Sequence, residues 1–155
     1  MNIVARIPKL AGSIVAIVGG MATITKTIIT AASPEAVWSA IRDIGALHTR
    51  LVPGFVVDTR VEPGTPVVRV VTFGNGAVVR EPIVSSDEQA RRLVWTVEGG
   101  TATHFNGSVE VLAGTSGGSR VVWRTDVLPD TAAAAIDAAM TAGAAAMTTA
   151  LAKLG

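Results

Sequence analysis

The sequence lacks cysteine and tyrosine and contains only two histidines, His48 and His104. Without cysteine the chain can form no disulfide, thiolate metal site or cysteine nucleophile. The histidines lack metal-ligand spacing, and no serine has the histidine and acid partners of a catalytic triad. The glycine-rich segments have no helix after them, so they predict hairpins and not phosphate-binding loops. We therefore expect no cofactor and no metal.

Neither sign of charge dominates, because 13 lysines and arginines stand against 12 acidic residues without a basic run. This balance argues against nucleic acid as a partner. Aromatic residues make up only 4% of a chain that is 49% hydrophobic, and much of the apolar content is alanine and valine. Small apolar side chains around a few bulky ones favour a core with a hollow. The 155 residues suffice for one domain.

The N-terminal apolar run, Leu10 to Val18, is too short to span a bilayer. The run from Leu10 to Val18 follows Arg6 and Lys9, which gives residues 1–20 the outline of a signal peptide or short anchor with a poor cleavage motif. We interpret residues 1–20 as an extension from an upstream start, with an export signal as the alternative, and residues 21–155 as the domain. The expected location is cytoplasmic, or exported if the extension is a signal, without stable membrane insertion.

Alternating apolar and polar residues predict seven strands separated by turn residues. The first strand, Ala22 to Ala31, precedes a helix that begins at Ser33-Pro34-Glu35 with a serine cap and an early proline. A second short helix is predicted around Ala46 to Leu51. The other strands are predicted at Phe55 to Glu62, Val67 to Phe73, Ala77 to Val84, Leu93 to Glu98, Thr103 to Leu112 and Arg120 to Leu128.

One carboxylate interrupts an otherwise apolar face of this sheet. Alternation places Glu81 on the same side as Trp95 and Phe105. A carboxylate there needs a partner or a proton. If Gly74-Asn75-Gly76 forms a three-residue hairpin loop, Arg69 lies opposite Glu81 on that face, whereas a two-residue loop moves Arg69 off it. The alternative interpretation is a surface or edge position at which Glu81 meets water.

The longest predicted element is a C-terminal helix from about Thr131 to Lys153. Its inner stripe contains Met140, Gly143 and Met147 among many alanines. Methionine fills irregular apolar sites, so the stripe fits a loosely filled space beneath the helix. It fits an ordinary amphipathic helix packed on a sheet equally well.

The order of these elements and several local segments resemble the START-like superfamily, or SRPBCC, which includes polyketide cyclase/dehydrase-like and plant pathogenesis-related class 10 proteins. The segments concerned are Ala32 to Trp38, Arg80 to Ile83 with Asp87, Arg92 to Trp95, His104 to Val109, and Val122-Trp123. The resemblance covers roughly Thr23 to Leu154. It implies an α+β helix-grip fold, in which a seven-stranded curved antiparallel sheet grips a long C-terminal helix beside two short helices.

The resemblance also implies a cavity between the sheet and the last helix that holds a small apolar molecule. By position, Glu81 resembles the family's inward carboxylate, Arg69 its arginine on the third strand, and Trp95 and Phe105 its inward aromatics. Phe105 replaces a tyrosine often present, so any mechanism that needs a phenol there lacks its residue. Trp123 matches a family tryptophan to which we assign a packing role.

Three functions are compatible with these residues. The one we favour is binding, transport or sensing of a small hydrophobic ligand such as a lipid or polyketide, because the sequence offers a single polar anchor. The second is a polyketide cyclase, aromatase or dehydratase with Glu81 as the acid or base and Arg69 as the enolate stabiliser. The third is an interaction or stress-related module with a collapsed cavity. The predicted ligand-binding residues are Arg69, Val71, Glu81, Trp95, Val97, Phe105, Met140 and Met147.

Overall fold

The computed structural model describes residues 12–17 and 20–155. The strands are β1 (Gly12–Ile17), β2 (Met21–Thr30), β3 (Val56–Glu62), β4 (Val68–Phe73), β5 (Val78–Asp87), β6 (Arg92–Trp95), β7 (His104–Ala113) and β8 (Ser119–Leu128). The helices are α1 (Pro34–Arg42) and α2 (Ala133–Ala152). Short helical turns cover Ile44–Ala46, Leu47–Leu51 and Asp130–Ala132. The signal, anchor or upstream-start interpretations of residues 1–20 rest mainly on residues outside this description and stay predictions.

All strands join one antiparallel sheet in the order β1-β2-β8-β7-β6-β5-β4-β3. The strands from β3 to β8 form a meander, and β8 returns to pair with β2. The seven predicted strands and the helix-grip arrangement are therefore confirmed. The sequence did not predict β1, which pairs along β2 from Gly12 opposite Lys26 to Ile17 opposite Met21. Its six residues lie within the apolar run that resembles a signal segment. For this reason the sequence analysis did not predict a strand there.

The first helix begins as the sequence predicts. The Ser33 hydroxyl accepts a hydrogen bond from the Ala36 amide at 3.2 Å, and Pro34 occupies the first turn. The Trp38 side chain is buried, and its indole Nε1 donates to a Glu88 carboxylate oxygen at 2.7 Å. This bond ties α1 to the connection between β5 and β6. The predicted second short helix is present as the two turns that follow α1.

Strand β3 contains a bulge that reverses its alternation. Strict alternation would place Val57 on the face of Thr59 and Val61, the register partners of Val71 and Arg69, and Val56 on the opposite face, and the structure departs from it. Val56 is buried, whereas Val57 is 53% exposed. The register shifts by one residue between Val56, opposite Phe73, and Asp58, opposite Thr72. An extra residue in one strand of a pair inverts the faces on its two sides.

Helix α2 lies across the inner face of the sheet and buries Met140, Gly143, Met147 and Leu151. By length and composition alone, the segment Asp130–Ala152 would also qualify as a membrane span, as core helices of soluble proteins sometimes do. An ion pair fixes the helix to β2, because Lys26 Nζ lies 2.6 Å from a carboxylate oxygen of Asp137. The Lys26 side chain is 9% exposed and the Asp137 side chain 32%, so the ammonium is withdrawn from water while the carboxylate stays partly hydrated.

Candidate functional site

A cavity of about 290 Å³ lies between the inner face of the sheet and α2. Leu47 and Leu51 from the short turns line it, as does the loop Gly99–Ala102 between β6 and β7. Most of its wall is apolar. All the predicted ligand-binding residues belong to this wall: Arg69, Val71, Glu81, Trp95, Val97, Phe105, Met140 and Met147. Their contact with a ligand stays a prediction.

Arg69 and Glu81 form a buried ion pair within this wall. They are register partners on β4 and β5, and the Phe73 amide donates to the Ala77 carbonyl at 2.8 Å across the loop Gly74-Asn75-Gly76. The three-residue loop is thus the correct alternative. Arg69 Nε donates to Glu81 Oε2 at 2.8 Å, and Arg69 Nη2 lies 2.6 Å from the same oxygen. Arg69 is 3% and Glu81 7% exposed, so the interpretation that Glu81 meets bulk water is wrong.

Trp95 lies beside the ion pair of Arg69 and Glu81 in the cavity wall. The guanidinium carbon of Arg69 lies 5.5 Å from the centroid of the Trp95 ring, within the range of a cation–π interaction. The indole lies directly against Gly107, its register partner on β7. A Cβ atom on Gly107 would lie 2.5 Å from Cε2 of Trp95. The position of the indole in the cavity wall therefore requires glycine at residue 107.

Burial raises the pKa of Glu81 above that of an exposed glutamate, and the charge and hydrogen bonds of Arg69 oppose part of this effect. Both contacts with Arg69 use Oε2. Among the described residues, no donor reaches the other oxygen, Oε1. Glu81 can therefore receive a hydrogen bond or a proton from a ligand at Oε1 while it stays paired with Arg69.

The raised pKa predicts how stability depends on pH. The unfolded chain releases the Glu81 proton near pH 4, whereas the folded chain keeps it to higher pH. In that interval the native state binds more protons, so the contribution of Glu81 to stability falls as the pH rises. We expect the free energy of unfolding of the native protein to decline with pH relative to a variant carrying both Arg69→Met and Glu81→Leu. Chemical denaturation at a series of pH values measures this difference, and a constant or opposite difference would contradict the raised pKa.

Several wall residues were not among the predicted site residues. Phe55 and Phe73 meet edge to face, with ring centroids 5.2 Å apart, at the β3 and β4 end of the cavity. The alternation of β4 places Phe73 on the face of Arg69 and could have identified it. Trp123 and Thr125 on β8 also line the cavity, so Trp123 does more than the packing assigned to it. Their positions follow from the same alternation in the last strand.

Residues 21–154 match the family described as polyketide cyclase / dehydrase and lipid transport. The chain belongs to this family. The match covers the whole sheet apart from β1, together with α1 and α2. Every predicted site residue therefore lies within the family domain. No curated protein matches the chain.

Several solved protein structures have a fold similar to that of this chain. The protein XoxI from Bacillus cereus superposes with a TM-score of 0.73 at 20% identity, over 83% of this chain and 94% of that one. A protein from Nitrosospira multiformis gives 0.71 at 17% identity, over 83% and 95%. Norcoclaurine synthase from Thalictrum flavum gives 0.67 at 21% identity, over 86% of each chain. At these identities the likeness shows the fold, and a hydrophobic ligand-binding fold is the property the chain shares with its family.

Proposed function

We propose that this protein binds a small hydrophobic ligand in the cavity between the sheet and α2, for transport or sensing. The observation that carries the proposal is a cavity of about 290 Å³ with an apolar wall and one buried ion pair. Burial of apolar ligand surface supplies the affinity, and one convergent polar group fixes the orientation. Oε1 of Glu81 is the acceptor available for a ligand hydroxyl or amine.

The family and its neighbours support this proposal in general terms. The family description includes lipid transport. Norcoclaurine synthase has been solved in complex with dopamine and hydroxybenzaldehyde, which are small aromatic molecules. The third function considered above, an interaction module, required a collapsed cavity. The space beneath α2 is open, which argues against that function.

A tryptophan at the wall of the cavity tests the proposal. Ala139 is exposed yet lines the cavity, so Ala139→Trp is expected to obstruct it without disturbing the core. We expect the affinity for an apolar naphthalene probe, measured by fluorescence titration, to fall at least tenfold. That loss is about 1.4 kcal/mol of binding free energy.

The neighbouring Ala138 is exposed and lies outside the wall, so Ala138→Trp serves as the matched control and should bind the probe like the native protein. Equal probe affinity in both variants, or no binding by the native protein, would contradict the proposal.

Native mass spectrometry of protein purified from its own source, followed by extraction in denaturant, would identify the natural occupant.

The environment of Glu81 also favours a second function, a polyketide cyclase or dehydratase. A carboxyl group with a raised pKa and a free oxygen can remove a proton next to a carbonyl, and Arg69 can stabilise the enolate that forms. The absence of tyrosine leaves no phenol to assist, and His104 is exposed outside the cavity. Incubation with an added polyketide-like compound, followed by chromatography and mass spectrometry, separates the two functions. A dehydratase returns a product that has lost water, a cyclase returns an isomer with a new retention time, and a binding protein returns the compound unchanged.

A further inference from the structure

Two buried polar atoms have no hydrogen-bond partner in the described part of the chain: Nε1 of Trp123 and Oγ1 of Thr125. An unpaired polar atom withdrawn from water destabilises a folded protein, so native proteins seldom keep one without a reason. The buried hydroxyls of Ser119 and Thr30, in contrast, are paired. Ser119 donates to the Ala32 carbonyl at 2.7 Å, and the Thr30 hydroxyl accepts from the Ala32 amide at 3.2 Å.

Trp123 and Thr125 lie on one face of β8 and both line the cavity. The inward residues next to them on the strand are Val121 and Val127, which are fully buried. A valine at residue 125 would have the shape of threonine without an unpaired hydroxyl. Packing alone therefore does not explain the threonine, whereas a polar group in the cavity would.

This pair lies away from the ion pair of Arg69 and Glu81. Glu81 is on β5 and Thr125 is on β8, with two strands between them. Three strand spacings correspond to about 14 Å along the sheet, and curvature shortens that distance across the cavity. The cavity thus carries polar groups at two separated places on an apolar wall.

We infer that Trp123 and Thr125 form a second polar subsite, which hydrogen bonds an oxygen atom of the ligand. The inference rests on the proposed function. An indole N–H only donates, so this end of the ligand must offer an acceptor, such as a ketone or ether oxygen. Glu81 Oε1 accepts, so the other end must offer a hydroxyl or amine. The ligand class is an apolar body with a donor at one end and an acceptor oxygen at the other.

The residue beside this subsite can make room for the oxygen. Met140 belongs to the same buried cluster as Ile24, the register partner of Thr125, and Val127, and Trp123 packs against that cluster. A methionine side chain changes rotamer at low cost. Both polar atoms are withdrawn from solvent in this structure, so the inference requires a neighbouring side chain such as that of Met140 to move when a ligand oxygen reaches them.

A pair of probes that differ in one oxygen tests the inference. Propionyl-naphthol carries a hydroxyl and a ketone at opposite ends of a rigid apolar body, and propyl-naphthol lacks the ketone. In Thr125→Val and in Trp123→Phe, we expect the dissociation constant of propionyl-naphthol to rise about fivefold relative to that of propyl-naphthol. Loss of one net hydrogen bond predicts a change of this size. Thr27→Val, on an exposed position of β2, should leave the ratio unchanged.

The thermal stability of the ligand-free protein supplies a second readout. Thr125→Val removes an unpaired hydroxyl, so we expect an equal or higher Tm. A lower Tm together with an unchanged probe ratio would mean that the hydroxyl serves the structure, through bound water for instance, and would overturn the inference. If the native protein and all variants bind both probes with the same ratio of dissociation constants, the inference of a second polar subsite is overturned and the proposed function stays intact. Binding of neither probe by the native protein would contradict both.

Discussion

Replacing Glu81 alone with leucine is expected to lower the free energy of unfolding by about 3–5 kcal/mol. The change leaves the Arg69 guanidinium buried at 3% exposure without its carboxylate, and the cavity wall around it is apolar. Replacing both members, as Arg69→Met with Glu81→Leu, is expected to be neutral or to stabilise the protein by about 1–4 kcal/mol. The reason is that the attraction within a buried pair often fails to offset the loss of hydration of both ions.

Denaturant unfolding of the two single variants and the double variant measures this non-additivity. Glu35 provides the control, because its ion pair with Arg91 is at the surface and its side chain is 71% exposed. Glu35→Gln should change the stability by less than about 1 kcal/mol. Additive losses in the double variant would mean that Arg69 and Glu81 stabilise the fold independently of each other, and would contradict the prediction. A stable double variant that no longer orients a ligand would show that the chain keeps the pair for binding.

Substituting Gly107 with alanine is expected to cost about 1–3 kcal/mol of stability and to weaken probe binding. The added Cβ would lie 2.5–2.8 Å from three atoms of the Trp95 ring, which is too close for any contact. Either the strand must shift or the indole must swing into the cavity. The second outcome would reduce the space for a ligand and disturb the contact between Trp95 and Arg69.

A double-mutant cycle with Trp95→Leu isolates this contact. In the leucine background the clash is absent, so Gly107→Ala should be neutral or stabilise by about 0.5–1 kcal/mol through the reduced backbone entropy of the unfolded chain. Thermal or denaturant unfolding of the four proteins measures the coupling energy. An equal cost of the alanine in both backgrounds would mean that the strand backbone, and not the indole, resists a side chain at residue 107.

The tight approach of α2 to the sheet depends on a second glycine. A Cβ atom on Gly143 would lie 2.8 Å from two Trp123 ring atoms and 2.9 Å from a Phe55 ring atom. The helix therefore rests on these two aromatic rings at its middle. Met140 and Met147, one turn to either side, line the cavity. The height of α2 above the sheet, and hence the cavity volume, follows from this contact.

Sequence alone determined the strands from β2 to β8, the long helix and part of the cavity wall, because these depend on local alternation and turn residues. Alternation placed Glu81, Trp95 and Phe105 on one face. The turn residues Gly74-Asn75-Gly76 limited this hairpin to two registers, and the structure shows the three-residue loop that brings Arg69 opposite Glu81. Such features involve residues close together in the chain, and side-chain direction in a strand repeats every two residues.

Only the tertiary structure decided the features that depend on contacts between distant segments. The bulge at Val57 reversed an alternation that looked regular, and β1 was hidden in a run resembling a signal segment. The size of the cavity follows from how closely Gly143 lets α2 approach the aromatic rings beneath it. That Trp123 Nε1 and Thr125 Oγ1 lack partners among the described residues depends on where segments distant in the chain lie. Packing distances and hydrogen bonds between segments far apart in the chain have no local pattern in the sequence.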